Sequence, residues 1–193
     1  MKPGRTAQGL WIYLDHPERQ TLDFRDFTRH LGNYRRFRGA GLTVLQHSCL
    51  AARLSPHREL RGFLAVHDLH ETYIGDLDPV MKQRVGFHDL EARWEASVAQ
   101  RILGRVPTGA EQSLMASVDL WAAAVEAKAH DLGAFLGFPL QTQTVANMLL
   151  ERPSIRFYVH YLETLTPSEQ YEELTRWEPR LHNLSLLGKQ EDA

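Results

Sequence analysis

LTVLQHSCLAARL, residues 42–54, is the stretch that decides the fold. Wound at helical pitch it is apolar on most sides, so it reads as a central, buried helix. Ser55-Pro56 ends it, because proline disfavours helical dihedrals in the residue before it. Working outward, HRELRGFLAVHDLHE (57–71) forms the next helix, and Gly75 and Pro79 break the chain after it. Residues 88–103 are amphipathic, with Leu90, Trp94, Val98 and Ile102 recurring at four-residue spacing, and Gly104 and Pro107 end that helix. Thr108-Gly109-Ala110-Glu111 matches a capping box, in which each side chain satisfies an orphan N–H of the first turn. A long helix follows over 109–132, and another over 140–164. Thr166-Pro167-Ser168-Glu169 is a second capping box with proline at the first helical position, opening a last helix of about ten residues. Residues 1–41 are loop-rich, and Leu10–Leu14 could form a short strand or hairpin. No segment alternates convincingly as a strand beyond four residues. The expected fold class is all-α, a helical bundle.

A chain of 193 residues reads as a single domain, 1–193, with a core at 24–165 and a C-terminal helix and tail at 166–193. At that length it can bury a sizeable core without disulfides. Cys49 is the only cysteine, which excludes an intrachain disulfide and fits a reducing cytoplasm. Any metal must then be held by histidine and carboxylates. The net charge of −2 argues against a dedicated nucleic-acid binder, although Arg35, Arg36 and Arg38 form a local basic patch. Arginine suits bidentate recognition of phosphate. The N-terminus lacks an apolar core of signal-peptide length, and no run of eighteen apolar residues occurs, so a cytoplasmic protein with no membrane partner is expected.

Ten histidines are present, and the cluster His67-Asp68-Leu69-His70-Glu71 stands out because LRGFLAV runs straight into it. A His-Asp dipeptide alone carries little meaning, since the chain has three, at 67–68, 88–89 and 130–131. Context favours the first. His47 lies in the middle of the preceding buried helix, and Asp119 lies in ASVDLWAAAVEA, whose other residues are mostly small or apolar. Buried polar groups need partners. One divalent cation would satisfy His47, His67, Asp68 and Asp119 together, since imidazole nitrogen and carboxylate oxygen suit zinc, manganese, iron or cobalt. The bland alternatives are a solvent-facing Asp119 and a hydrogen-bonded polar cluster without metal.

VLQHSCLAARL, then FLAVHDLHETYIGDLDPVMK, then the Asp of SVDLWAAAVEA resemble the H…HD…D signature of the HD-domain phosphohydrolase superfamily over residues 24–130. The likeness is to small bacterial 5′-deoxynucleotidases and phage-type deoxynucleotide triphosphohydrolases, including those acting on dATP. It implies a helical bundle around one divalent ion held by His47, His67, Asp68 and Asp119, with further divalent ions on the substrate phosphates as an option. It implies that Glu71 orients or activates the attacking water, that Asp76 bonds the sugar 3′-hydroxyl, and that Lys82 contacts phosphate. Arg36 and Phe37 match the family's Arg-aromatic pair that holds the base, and Glu126 matches another acidic position. His70 could donate a proton to a leaving group, contact a distal phosphate or cap its helix. Glu71 is followed by Thr72 rather than a second acid, which disfavours alarmone hydrolysis, and no Gly-Tyr-Pro occurs, which disfavours cyclic-dinucleotide hydrolysis. The expected activity is cleavage of the 5′ phosphoester of a deoxynucleotide, with a dNTP preferred over a dNMP. A non-catalytic nucleotide or metal sensor is the alternative of another class. Relatives imply a homo-oligomer, dimer or hexamer, and no stable nucleic-acid partner.

Overall fold

The computed structural model describes residues 4–6, 8–75, 82 and 84–184. Among these the chain is a helical bundle without strands: α1 is Phe24–His30, α2 Val44–Leu54, α3 Arg61–Val66, α4 Glu71–Ile74 and α5 His88–Leu103. Then come α6 Gly109–Ala129, α7 Leu140–Leu150, α8 Pro153–Glu163 and α9 Pro167–Trp177. The expected strand at Leu10–Leu14 does not form, and the hairpin is reduced to a minimal antiparallel one in which the Thr6 amide donates to Leu10 O at 2.8 Å and the Ile12 amide to Gly4 O at 2.9 Å. The segment makes one isolated bridge, Arg5 to Trp11, too short to propagate a ladder. No helix among the described residues is long and apolar enough to cross a membrane.

Helix α2 is the axis of the bundle and packs against α3, α6, α8 and α9. All its residues except Arg53 are buried, as the apolar wrap of 42–54 requires. Thr43 starts it with a reciprocal capping box: its hydroxyl accepts the Gln46 amide, and the Gln46 side chain accepts the Thr43 amide. Capping boxes also open α6 at Thr108/Glu111 and α9 at Thr166/Glu169, where the sequence places them. Helix α5 is pinned by Trp94, which is fully buried, stacks on Tyr73 at 5.3 Å and donates its indole N–H to Leu14 O at 3.0 Å. Burying one such side chain stabilises the fold by about 1.5–3 kcal/mol.

Two helices of the sequence reading are divided. The 140–164 segment breaks between Leu150 and Pro153, because Arg152 is forced extended (φ −77°, ψ 116°) ahead of the proline that opens α8. The 57–71 segment is divided more instructively. A 3₁₀ turn at Arg58–Leu60 leads into α3, and beyond Val66 the backbone tightens. Leu69, Glu71, Thr72 and Tyr73 donate their amides three residues back, to Val66, Asp68, Leu69 and His70. Imidazole N–H groups have taken up carbonyls there: His67 Nδ1 donates to Leu64 O at 2.7 Å and His70 Nδ1 to His67 O at 2.6 Å. In a tightened turn residues i and i+3 eclipse. His67 therefore aligns with His70, and Asp68 with Glu71. Helix α1, in a region that reads as loop, is a seven-residue element capped by Asp23, which accepts the Arg25 amide.

Candidate metal centre

His47 sits at mid-length in α2 with no exposed surface. Its Nδ1 lies 3.1 Å from Glu126 Oε2 and its Nε2 2.7 Å from Asp119 Oδ1. Both acids belong to α6, seven residues and two turns apart, so they share the face turned to α2. The tightened turn after α3 brings in the other two groups: His67 Nε2 is 3.2 Å from Asp68 Oδ2 and 3.4 Å from Asp119 Oδ1. The ligand atoms of His47, His67 and Asp68 lie within 4.8 Å of one another.

Hydrogen-bond chemistry says what this arrangement accepts. A carbonyl can only accept, so His67 carries its proton on Nδ1 toward Leu64 O and turns the Nε2 lone pair inward. Glu126 does the same for His47, drawing the Nδ1 proton and leaving Nε2 facing Asp119. Lone pairs then confront carboxylate oxygens, which repel unless a proton or a metal lies between them. His67 Nε2 and Asp68 Oδ2 are buried without a hydrogen-bond partner. Ligating histidines tied through their other nitrogen to a carbonyl or carboxylate are the usual support for a metal ion. His47, His67 and Asp68 can chelate a divalent cation through two imidazoles and a carboxylate, and the Asp119 carboxylate lies against both rings.

The electrostatics point the same way. Burial opposes the charged form of His67, yet the Asp68 and Asp119 carboxylates beside it outweigh that and lift its pKa to about 10. Burial likewise pushes the Asp119 carboxyl upward, and the two imidazoles override it and hold it well below the usual range. Arg36 is the guanidinium of the site, its Nη1 3.6 Å from Asp68 Oδ2 and its Nε 3.4 Å from Glu126 Oε2. Burial works against its charge, but Glu126, Asp68, Asp119 and Glu71 more than compensate and raise its pKa. Four carboxylates around one guanidinium favour a further cation.

Arg36 is delivered by a closed loop. The Arg36 amide donates to Leu42 O at 2.9 Å, the Gly41 amide returns to Arg36 O at 3.1 Å, and Arg35 bridges Thr43. Closing so short a loop puts Phe37 (φ 49°) and Arg38 (φ 56°) in the left-handed region, which costs a non-glycine residue about 1–2 kcal/mol. Gly41 has no alternative: a Cβ there would overlap Glu126 Oε1 and stand 2.8 Å from Phe37 Cδ2. Phe37 is half-buried against the core, its ring 6.0 Å from the Arg36 guanidinium carbon.

Of the residues singled out in the sequence, His47, His67, Asp68 and Asp119 converge, with Arg36 and Phe37 alongside. Glu71 and His70 fall in a neighbouring cluster with Glu91 of α5, whose ligand atoms also lie within 4.8 Å of one another. Lys82 Nζ pairs with Glu91 Oε1 at 2.5 Å. Asp76 lies outside the described residues. Glu91 had no signature, being one of several acids along an amphipathic helix. Glu126 is the buried hinge of the site, bonded to both His47 and the Leu42 amide.

Compared with models of known protein families the chain matches none, and no curated protein sequence matches it.

Proposed function

We propose that this protein is a metal-dependent phosphohydrolase of the HD type, cleaving the 5′ phosphoester of deoxynucleotides, with triphosphates such as dATP preferred. The observation that carries the reading is the buried Nε2 of His67, which makes no hydrogen bond and lies 3.2 Å from Asp68 and 3.4 Å from Asp119 beside His47. That donor set joins an in-order H…HD…D pattern, a water-activating acid one turn on and a guanidinium at the rim.

A bound divalent cation would act as a Lewis acid on the phosphate and lower the pKa of a water. Glu71 takes the proton from that water as its oxygen attacks phosphorus. The bond to the nucleoside 5′-oxygen breaks, and the departing oxygen takes up a proton from solvent. Arg36 turns part of its charge from Asp68 and Glu126 to the incoming phosphate oxygens, and Phe37 offers an aromatic face to the base. Lys82, tethered to Glu91, supplies charge for phosphates beyond the first. Asp76 reads the sugar 3′-hydroxyl in this scheme.

The test is a panel of deoxy- and ribonucleotides, mono- to triphosphate, with manganese, cobalt or zinc, and products separated by chromatography. Release of inorganic triphosphate with deoxynucleoside is expected. Release of phosphate from monophosphates alone would make the protein a 5′-deoxynucleotidase. No turnover from any substrate, together with less than about a tenth of a metal per chain after chelator-free purification, would sink the proposal.

A further inference from the structure

The turn that aims His67 repeats itself three residues on. His70 Nδ1 donates to His67 O at 2.6 Å, just as His67 Nδ1 donates to Leu64 O. The proton position is therefore fixed, and the His70 Nε2 lone pair points away from the backbone. His70 is only 3% exposed, and that Nε2 has no hydrogen-bond partner. What it faces is Glu91 Oε1 at 3.7 Å, close enough to share an ion but too far for a hydrogen bond. Glu71 completes the group.

The geometry points to a second divalent-cation site, made by His70 Nε2 and one carboxylate oxygen each from Glu71 and Glu91. It stands one tight turn along the chain from the His47–His67–Asp68–Asp119 set and shares no residue with it. One imidazole and two carboxylates make a harder donor set than the first, so manganese suits this site better than it suits the first. It also binds less tightly, for a physical reason. The Lys82 ammonium already holds Glu91 Oε1, and His88 stands 3.9 Å from the other oxygen, so an entering ion must displace the lysine. Glu71 gives the ion one oxygen and keeps the other for the water it deprotonates in the proposed reaction. The site does not depend on that reaction, since its three residues would chelate a cation whatever the substrate.

The experiment is a manganese titration of the chelator-stripped full chain, followed by calorimetry and electron paramagnetic resonance, with circular dichroism as the check on folding. The native chain is expected to take up two manganese ions, the second with affinity at least about tenfold weaker. Glu91→Gln and His70→Ala should each remove the weaker ion and leave the tighter one, and Asp119→Asn should weaken the tighter one and leave the weaker. Glu91→Gln changes a partly exposed side chain by one atom, so it tests the site even if His70→Ala fails to fold. A single ion that Asp119→Asn weakens and Glu91→Gln leaves untouched would overturn the second site while sparing the phosphohydrolase reading. No ion in the native chain would overturn both.

Discussion

One carboxylate ties the site to the backbone around it: Glu126 places Oε2 3.1 Å from His47 Nδ1 while its Oε1 accepts the Leu42 amide at 2.7 Å. Glu126→Gln keeps the size of the group but loses its charge and one acceptor. The expected result is a metal affinity about 10–100-fold weaker, with the helical circular dichroism unchanged. An affinity within twofold of the native value would show that the His47 tautomer is set by something else.

Gly41→Ala attacks the same point from the loop. The added Cβ must displace Glu126 Oε1 or the Phe37 ring. Overpacking of this kind costs about 1–3 kcal/mol. In a chain of this length each kcal/mol lowers Tm by about 2–4 °C. Thermal unfolding should show that drop, with weakened metal uptake. An unchanged Tm would mean that the loop yields freely and the 36–41 closure is not tight.

The charge on His67 makes a signed prediction for pH. In the folded chain without metal its pKa is lifted to about 10, above the ordinary 6.5 it regains on unfolding. A raised pKa stabilises fully below the unfolded value, and that stabilisation is lost as pH rises through the folded one. The Tm of chelator-treated protein should therefore fall as pH climbs from about 6.5 to about 10. Excess metal, which replaces the proton, should flatten or reverse the slope. A Tm of the stripped protein that does not decline over that interval, or the same slope with metal present, contradicts the account.

Two caps of one type allow a controlled comparison. Thr108 caps α6 at the surface, and Thr108→Ala should cost about 1 kcal/mol. Thr43 caps α2 in the interior and also donates its hydroxyl to Gln170 Oε1 at 2.7 Å. Thr43→Ala leaves that buried acceptor without its donor, so the cost should rise to about 2–3 kcal/mol. Urea unfolding of both variants decides the matter. Equal costs would mean that the Gln170 bond adds nothing.

Much of this architecture is legible in the sequence because short-range chemistry encodes it. The apolar wrap of 42–54 makes α2 the axis, and the Thr108/Glu111 and Thr166/Glu169 pairs mark where α6 and α9 begin. The four candidate ligands are readable because each is a polar residue on an otherwise apolar helix. What escapes the sequence depends on geometry or on distant partners. Helix α1 is too short to show a period. Pro153 divides what reads as one helix, because the period on either side hides a break of two residues. The tightening after Val66 comes from imidazole N–H groups competing for carbonyls, which no pattern of hydrophobicity records. It moves Glu71 from the face of His67 to that of Asp68 and delivers it to Glu91 across the bundle.

The paired bonds from His67 to Leu64 O and from His70 to His67 O have a consequence for how the chain can vary. Both rings hang from the peptide skeleton rather than from neighbouring side groups. Replacing Leu64 by another apolar amino acid therefore leaves their aim intact. Inserting or deleting a single position between 64 and 70 would swing both rings off target in one event, so variants of this stretch should tolerate substitution far better than any change in its length.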